Sequence, residues 1–308
     1  MKSIKILGNG IYLPKNKIEN EFFNNRFNLE EKWIEKRTGI ISRYWALDED
    51  LEYMATQASI KAIENAKIPK EEIGMIIVAT TSTNKIMPGI SYLVQRNLEI
   101  KECICLDILA GCSGYINAFD IAQKYIESQN IKKALIIGAE ILSKYIDESD
   151  INTAILLGDG AGATIVTNTE NKIYDSYIES IGQDGEILTC NNNEKIYMDG
   201  KRIYKFAVTK TVQNIEKILQ DNNLKIEDIK YLIPHQSNIK ILENIGKRLN
   251  ISMDKIYVNL DTIGNTFCAS IPIVLSEMYE KNLLKEKDKI ILLGYGGGLN
   301  LGSILLEI

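Results

Sequence analysis

The feature that most constrains this 308-residue chain is that it repeats itself. Glu71–Ala79 (EEIGMIIVA) resembles Glu227–His235 (EDIKYLIPH) at an offset of 156. Leu106-Asp107, ahead of a glycine-bearing turn, resembles Leu260-Asp261 at 154, and KKALIIG ending at Gly138 resembles KDKIILLG ending at Gly294, again at 156. Three pairs in one order at nearly one offset point to duplication. Short Ile/Val/Leu runs alternate with helical patterns along the chain, so the class is α/β. Residues 1–170 and 171–308 are expected to form two pseudo-symmetric, βαβ-rich halves packed about a pseudo-twofold axis.

Strands are expected in the first half at Ile4–Leu7, Met75–Ala79, Ile104–Ile108, Ala134–Ile137, Ala154–Leu157 and Ala163–Val166. In the second half they are expected at Tyr231–Ile233, Ile256–Leu260, Ile290–Leu293 and Ser303–Leu306. Apolar residues recur with a 3.6-residue period over Tyr115–Ile126, which predicts a helix. Glu140–Ile151 has no counterpart in the second half and reads as an insertion. Polar Gln183–Gly200 reads as a surface loop or lid.

Several function classes fall away on composition. With 36 basic and 41 acidic side chains the net charge is −5, which argues against general nucleic-acid binding. At 45% hydrophobic and 25% charged, the composition is that of a folded globular protein. No apolar run approaches the roughly 18 residues of a membrane helix. The opening MKSIKILGNGIYLP does not read as a secretory signal, and five cysteines without framework spacing fit a reducing cytoplasm. One histidine and no CxxC pair give zinc no ligand set. Cys103 and Cys105 are expected on opposite faces of a strand. Gly158-Asp-Gly-Ala-Gly162-Ala163 fits a dinucleotide pattern by letters, but β-branched residues follow where that motif needs a helix.

Three residues carry chemical potential. Cys112, in Ala110-Gly-Cys-Ser-Gly114, sits between an expected strand and an expected helix. The helix N-terminus there is expected to favour the thiolate and lower the pKa; the alternative is an inert buried cysteine. His235, the only histidine, follows a strand at its carboxyl end, where α/β sheets gather ligands. Asn265 falls in the turn that matches the Cys112 turn across the duplication. The repeat therefore predicts that Cys112 and Asn265 face each other with His235 nearby: a nucleophile with two polar helpers. Gly296-Gly297-Gly298 is either a crowded turn or a row of backbone N–H donors.

These motifs resemble β-ketoacyl-acyl-carrier-protein synthase III, a condensing-enzyme family on the thiolase fold. The resemblance runs from Gly8-Asn-Gly-Ile-Tyr-Leu-Pro14 through Trp33-Ile-x-x-Arg37-Thr-Gly-Ile40, the Cys112 turn, Gly158–Gly162, Pro234-His-Gln-x-Asn238 and Gly264-Asn-Thr266 to Tyr295-Gly-Gly-Gly298. It implies a layered α-β-α-β-α body and a decarboxylative condensation through an acyl-Cys112 intermediate. Acyl-CoA would be the donor, malonyl-acyl-carrier protein the extender, and no cofactor would be needed beyond these CoA and phosphopantetheine thioesters. His235 and Asn265 are implied as donors to the enolate oxygen, and the backbone N–H groups of Cys112 and Gly297 as the oxyanion hole.

By the same resemblance Trp33 stacks on adenine, Arg37 meets the CoA phosphates, and Gly200 and Asn238 bond the pantetheine arm. Lys240, Lys247 and Arg248 form a basic patch for acyl carrier protein, and Met87 reaches across a homodimer to bound the partner's acyl pocket. A cytoplasmic enzyme of fatty-acid initiation is implied, without nucleic-acid or membrane partners. Ile151 stands where the family places a second adenine-stacking arginine, and the 182–200 segment is short. Those departures keep open an acyltransferase of specialised metabolism with another donor or acceptor. A papain-like cysteine hydrolase fails on its missing signature, and a non-catalytic subunit has no need of Cys112, His235 and Asn265 together.

Overall fold

Each copy of the repeat builds one sheet. The computed structural model describes residues 3–128, 130–191 and 194–308. Its first sheet contains β1 (Ser3–Tyr12), β2 (Met75–Ala79), β3 (Ile104–Ile108), β4 (Lys133–Glu140) and β5 (Gly160–Thr169), in the order β1-β5-β4-β2-β3. The second contains β6 (Tyr174–Ser180), β7 (Tyr231–Pro234), β8 (Lys289–Gly296) and β9 (Asn300–Glu307), in the order β7-β8-β9-β6. The pairing is the same in both. β2–β4 and β7–β8 are parallel, β4–β5 and β8–β9 antiparallel, and β1 and β6 close their sheets antiparallel.

Six helices that pack on the two sheets complete the layers: α1 (Leu51–Ala66), α2 (Ile90–Asn97), α3 (Gly114–Glu127), α4 (Gly200–Asp221), α5 (Ile239–Leu249) and α6 (Ser270–Glu280). α3 and α6 start 156 residues apart, each directly after a 3₁₀ turn, Gly111–Ser113 and Phe267–Ala269. These two helices form the middle layer. Tyr115 and Phe119 of α3 and Ile271 and Val274 of α6 share one buried core with Ile77 of the first sheet and Leu292 of the second. α1 covers the outer face of the first sheet through Met54 and Ala58, while α4 and α5 cover the second through Ile215 and Leu242. The order is α-β-α-β-α.

The repeated glycines have a packing reason. A Cβ on Gly138 would lie 2.3 Å from the carbonyl oxygen of Cys268, and one on Gly294 would lie 3.0 Å from Ser113. Each half thus presents a glycine on its sheet to the turn of the other half, so the two active turns press onto opposite sheets. The insertion is also visible. β4 and β5 are joined by 19 residues (141–159), β8 and β9 by three (297–299).

Three expectations are corrected. Ala154–Leu157 is not a strand: a short helix ends at Ala154, and the next carbonyls are taken by Arg43 Nη2 (Ile155, 2.5 Å), Asn265 N (Leu156, 2.9 Å) and Trp45 Nε1 (Leu157, 3.0 Å). With those acceptors spent, only an isolated bridge from Leu157 to Asn265 forms. Ile256–Leu260 likewise gives one bridge, Ile256 to Leu232, before a helical turn begins at Leu260. Cys103 and Cys105 do not face opposite ways; their sulfurs are 3.7 Å apart. Residues two apart in an extended chain share a face, so the spacing argues for proximity. β6, YDSYIES, is a partly exposed edge strand without the apolar run that marks the others.

Candidate active site

The turn that carries Cys112 is held from outside its own strand. Gly111 adopts φ +55°, a left-handed conformation that favours glycine, and a Cβ there would meet the Gly297 carbonyl oxygen at 2.8 Å. Asn300, on β9, donates to the Ala110 carbonyl at 2.7 Å and accepts from Ser113 Oγ at 2.5 Å, clamping the turn at both ends. Gly296 leaves room for the sulfur: a Cβ added there would be 2.8 Å from Cys112 Sγ.

Cys112 is buried, and the backbone N–H groups of Gly297 and Cys112 lie on the side of its sulfur that favours the thiolate. The expected lowering of its pKa is overturned. Burial, with the Glu140 charge adding to it, pushes the thiol up to about 12, and the two N–H donors only partly offset this. Desolvation of a thiolate outweighs a helix terminus when the sulfur is this deeply buried. In the free protein, alkylation of Cys112 by iodoacetamide is therefore expected to keep accelerating from about pH 7 to beyond the ordinary thiol pKa of about 8.5. A plateau at or below that pH, read by mass spectrometry of the Cys112 peptide, contradicts this.

His235 is buried at the end of β7, its backbone N–H bonded to the Leu293 carbonyl at 2.7 Å. Burial holds its pKa down to about 3, so the ring is neutral at physiological pH. Ser270 Oγ lies 2.8 Å from Nδ1 and itself accepts the Gln236 N–H at 3.4 Å. With Ser270 Oγ able to donate to Nδ1, the tautomer that carries its ring hydrogen on Nε2 is open to His235. Asn265 is fixed in a complementary way. Its Oδ1 accepts the Phe267 N–H at 3.1 Å, which leaves the Nδ2 hydrogens for the cavity.

The structure brings the three together. Cys112, His235, Asn265, Gly296 and Asn238 line one cavity of about 130 Å³. Cys112 and Gly297 also line a neighbouring cavity of about 300 Å³ walled by Leu109, Leu142, Leu188, Ile196 and Phe267. No aspartate or glutamate is among the described residues lining either. Gly200 and Asn238 connect the smaller cavity to an outer cleft of about 600 Å³ lined by Trp33, Arg37, Ile151 and Tyr197. In that cleft the Arg37 guanidinium lies over the Trp33 ring at 4.3 Å. Gly200 opens α4 with nothing within 4 Å of where a Cβ would be. Asn238 caps α5, its Oδ1 accepting the Lys240 N–H at 2.8 Å.

The remaining expected residues lie outside these cavities. Lys240, Lys247 and Arg248 are exposed on α5, where Lys240 pairs with Glu243 at 3.0 Å and Arg248 Nε donates to Asn244 at 3.0 Å. Met87 is 82% exposed in the segment before α2. Among the described residues no group of three or more His, Cys, Asp and Glu is arranged to hold a metal, and no helix is long and apolar enough to cross a membrane. Residues 192 and 193, in the Gln183–Gly200 segment, lie outside the described residues.

The family models agree with this layout. The model for 3-oxoacyl-[acyl-carrier-protein (ACP)] synthase III matches residues 106–185, and its C-terminal companion matches residues 219–308. A β-ketoacyl-[acyl-carrier-protein] synthase III from Clostridium acetobutylicum is 39% identical, covering 100% of this chain and 99% of that protein. The chain belongs to the 3-oxoacyl-[acyl-carrier-protein] synthase III family. The crystal structure of the synthase III from Aquifex aeolicus superposes with a TM-score of 0.96 at 39% identity, over 99% of this chain and 100% of that one. A priming β-ketosynthase from the R1128 polyketide pathway gives a TM-score of 0.93 at 27% identity, over 99% and 96%. The layered body is thus thiolase-like, and the chain is a condensing acyltransferase.

Three site residues of this synthase III were not singled out from sequence. Ser270 and Asn300 hold His235 and the Cys112 turn, and neither has a local motif; only their placement by α6 and β9 shows it. Glu140 is the third. The residue 156 positions beyond Cys112 is Cys268, and 156 beyond Glu140 is Gly296. Where Cys112 faces Gly296, Cys268 Sγ donates to Glu140 at 3.0 Å, alongside Ser82 Oγ at 2.6 Å and Thr81 N at 3.1 Å. The pseudo-symmetry is broken there: one turn keeps an open approach to sulfur, and the other is filled by a buried carboxyl. The repeat itself could have pointed to that pair.

Proposed function

We propose that this chain primes fatty-acid synthesis by decarboxylative Claisen condensation of an acyl-CoA with malonyl-acyl-carrier protein. The observation that carries this reading is the cavity in which buried Cys112 meets two neutral hydrogen-bond donors, His235 and Asn265, with no carboxylate in its lining. The Cys112 sulfur attacks the acyl thioester, and the thiol proton leaves with the CoA sulfur. No net charge is then left in the apolar site. The acyl chain fills the larger cavity. Malonyl-carrier protein next delivers its arm past Gly200 and Asn238 and loses carbon dioxide. The enolate oxygen takes hydrogen bonds from His235 Nε2 and Asn265 Nδ2. A carboxylate there would repel that oxygen, whereas neutral donors stabilise it. The carbanion attacks the acyl carbon, whose oxygen is met by the N–H groups of Cys112 and Gly297. Collapse releases the β-ketoacyl product and a thiolate that takes up a proton.

Around this centre, Trp33 and Arg37 receive the CoA adenine and phosphates, and Lys240, Lys247 and Arg248 dock the carrier protein. The docking weakens with salt because these cations are exposed. Met87 of a second copy would bound the acyl cavity in a cytoplasmic homodimer, and residues 1–170 and 171–308 supply the nucleophile and the donors. The chemistry needs no cofactor beyond the thioester substrates. A second reading keeps acyl-Cys112 but changes donor or acceptor; Ile151 beside Trp33 in the outer cleft favours it.

The test is intact-protein mass spectrometry with a panel of acyl-CoA and acyl-carrier donors. An acyl adduct is expected that disappears in Cys112→Ala, with β-ketoacyl product forming only when malonyl-carrier protein is added. An adduct without decarboxylative product supports the second reading. Absence of any adduct overturns both.

A further inference from the structure

The turn that matches the Cys112 turn carries a large side chain where its counterpart has none. Phe267 lies 156 residues beyond Gly111, and both have left-handed backbones, φ +45° and +55°. Among the described residues, every other non-glycine with positive φ is asparagine, lysine or glutamate. A bulky aromatic is an outlier there, and it persists only where its surroundings impose it. The connection beside each turn decides whether a side chain fits. A Cβ on Gly111 would run into the Gly297 carbonyl, in the three-residue link between β8 and β9. By the repeat, the 19-residue link between β4 and β5 stands in the corresponding place beside Phe267. Its Leu142, Leu156 and Leu157 belong to the same buried core as Phe267.

Phe267 lines both cavities of the site. Leu142 walls the larger one and Leu156 and Leu157 the smaller. Among the described residues only Cys112, Leu188 and Ile196 share this double position. The Cys112 and Phe267 turns pack against each other. Cys112 therefore sits at a throat between the cavities, with Phe267, Leu188 and Ile196 as its apolar members. Leu188 and Ile196 come from the 183–200 segment. Phe267 is the fixed member: it is buried, and its N–H is tied to Asn265 Oδ1 at 3.1 Å.

We propose that Phe267 is a specificity-determining residue that admits straight-chain acyl groups to Cys112 and rejects those branched at the carbon next to the carbonyl. This rests on the acyl-Cys112 reaction proposed above. The acyl group arrives from the Gly200 and Asn238 side and crosses the throat to reach the larger cavity. Once its carbonyl carbon is on the sulfur, the next carbon lies in the throat itself. A methylene there presents only hydrogens to the walls. A methyl branch adds a group of carbon size, and a close-packed wall backed by core residues yields to that only by shifting.

The test measures kcat/KM for acylation of the full-length enzyme by butyryl-CoA and by isobutyryl-CoA, in separate time courses read by intact-protein mass. The two donors have one composition and differ only in the branch. If neither CoA ester gives an adduct, the same two acyl groups are supplied on carrier protein. The wild-type enzyme is expected to favour the butyryl donor by about 10-fold or more, the range that one methyl commands in an apolar pocket. Phe267→Gly and Phe267→Asn shorten the side chain, suit the left-handed backbone and keep the N–H to Asn265. In both, the preference is expected to fall below about threefold, as the methyl no longer meets a wall. Phe267→Leu, still large and apolar, is expected to keep most of it. A general loss of stability slows both donors alike and leaves the ratio where it was. Equal rates in the wild-type enzyme, or an unchanged ratio in whichever of the Gly and Asn variants folds by circular dichroism, overturn the proposal and leave the acyl-Cys112 reaction standing. Absence of any acyl adduct on the wild-type enzyme overturns both.

Discussion

His235→Ala and Asn265→Ala are each expected to leave acyl transfer to Cys112 largely intact and to lower decarboxylative condensation by about 10²–10³-fold, the usual loss for one oxyanion donor. The two steps call on different groups. In the proposed reaction acylation uses the sulfur and the backbone donors of Cys112 and Gly297, which neither substitution touches. Enolate formation uses side-chain donors, and each is oriented by one contact: Ser270 for His235, the Phe267 N–H for Asn265. The double variant is expected to lose less than the product of the single losses, because both donors serve one oxygen. Single-turnover acyl transfer and carbon dioxide release, measured on the same variants, separate the steps. Loss of acylation in either single variant, with the fold intact by circular dichroism, breaks this division of roles. Because His235 is neutral down to about pH 3, condensation is also expected to show no loss from its protonation between pH 5 and 7.

Gly296→Ala is expected to lower acylation by about 10²-fold or more, through displacement of the nucleophile. The added carbon would sit 2.7 Å from Cys112 Cβ and 2.8 Å from its sulfur, and 3.2 Å from its backbone nitrogen. Gly296 is buried and paired with Asn300 of β9, so relief is expected from the Cys112 turn. That turn is itself pinned by Asn300. Gly182→Ala is the control, with nothing within 4 Å of the added carbon, and should acylate as the parent does. Equal rates in Gly296→Ala and Gly182→Ala mean that the sulfur is not held as described.

Much of this site was legible beforehand. β2 and β3 have the bounds read from sequence; β2 is fully buried and shows as the unbroken run MIIVA, whereas in β3 only Cys105 is buried. The repeat placed the Cys112 turn and the Asn265 turn in matching positions, and both line the same cavity. What failed has physical causes. Ala154–Leu157 looked like a strand, but its carbonyls bond side chains more than a hundred residues away in sequence. The Cys112 pKa was misjudged because a helix terminus is visible in sequence and desolvation is not.

By itself the sequence determined the duplication, the α/β class and which cysteine, histidine and asparagine were candidates for one site, because local periodicity and a repeated offset need no knowledge of packing. Only the tertiary structure decided that Gly296 leaves Cys112 open while Glu140 fills the matching place beside Cys268. It alone decided that Ser270 meets His235 Nδ1, that the Asn265 amide hydrogens remain to donate, and that Cys103 and Cys105 meet. Those outcomes depend on contacts between residues far apart in the chain and on the exclusion of water, neither of which a local pattern encodes.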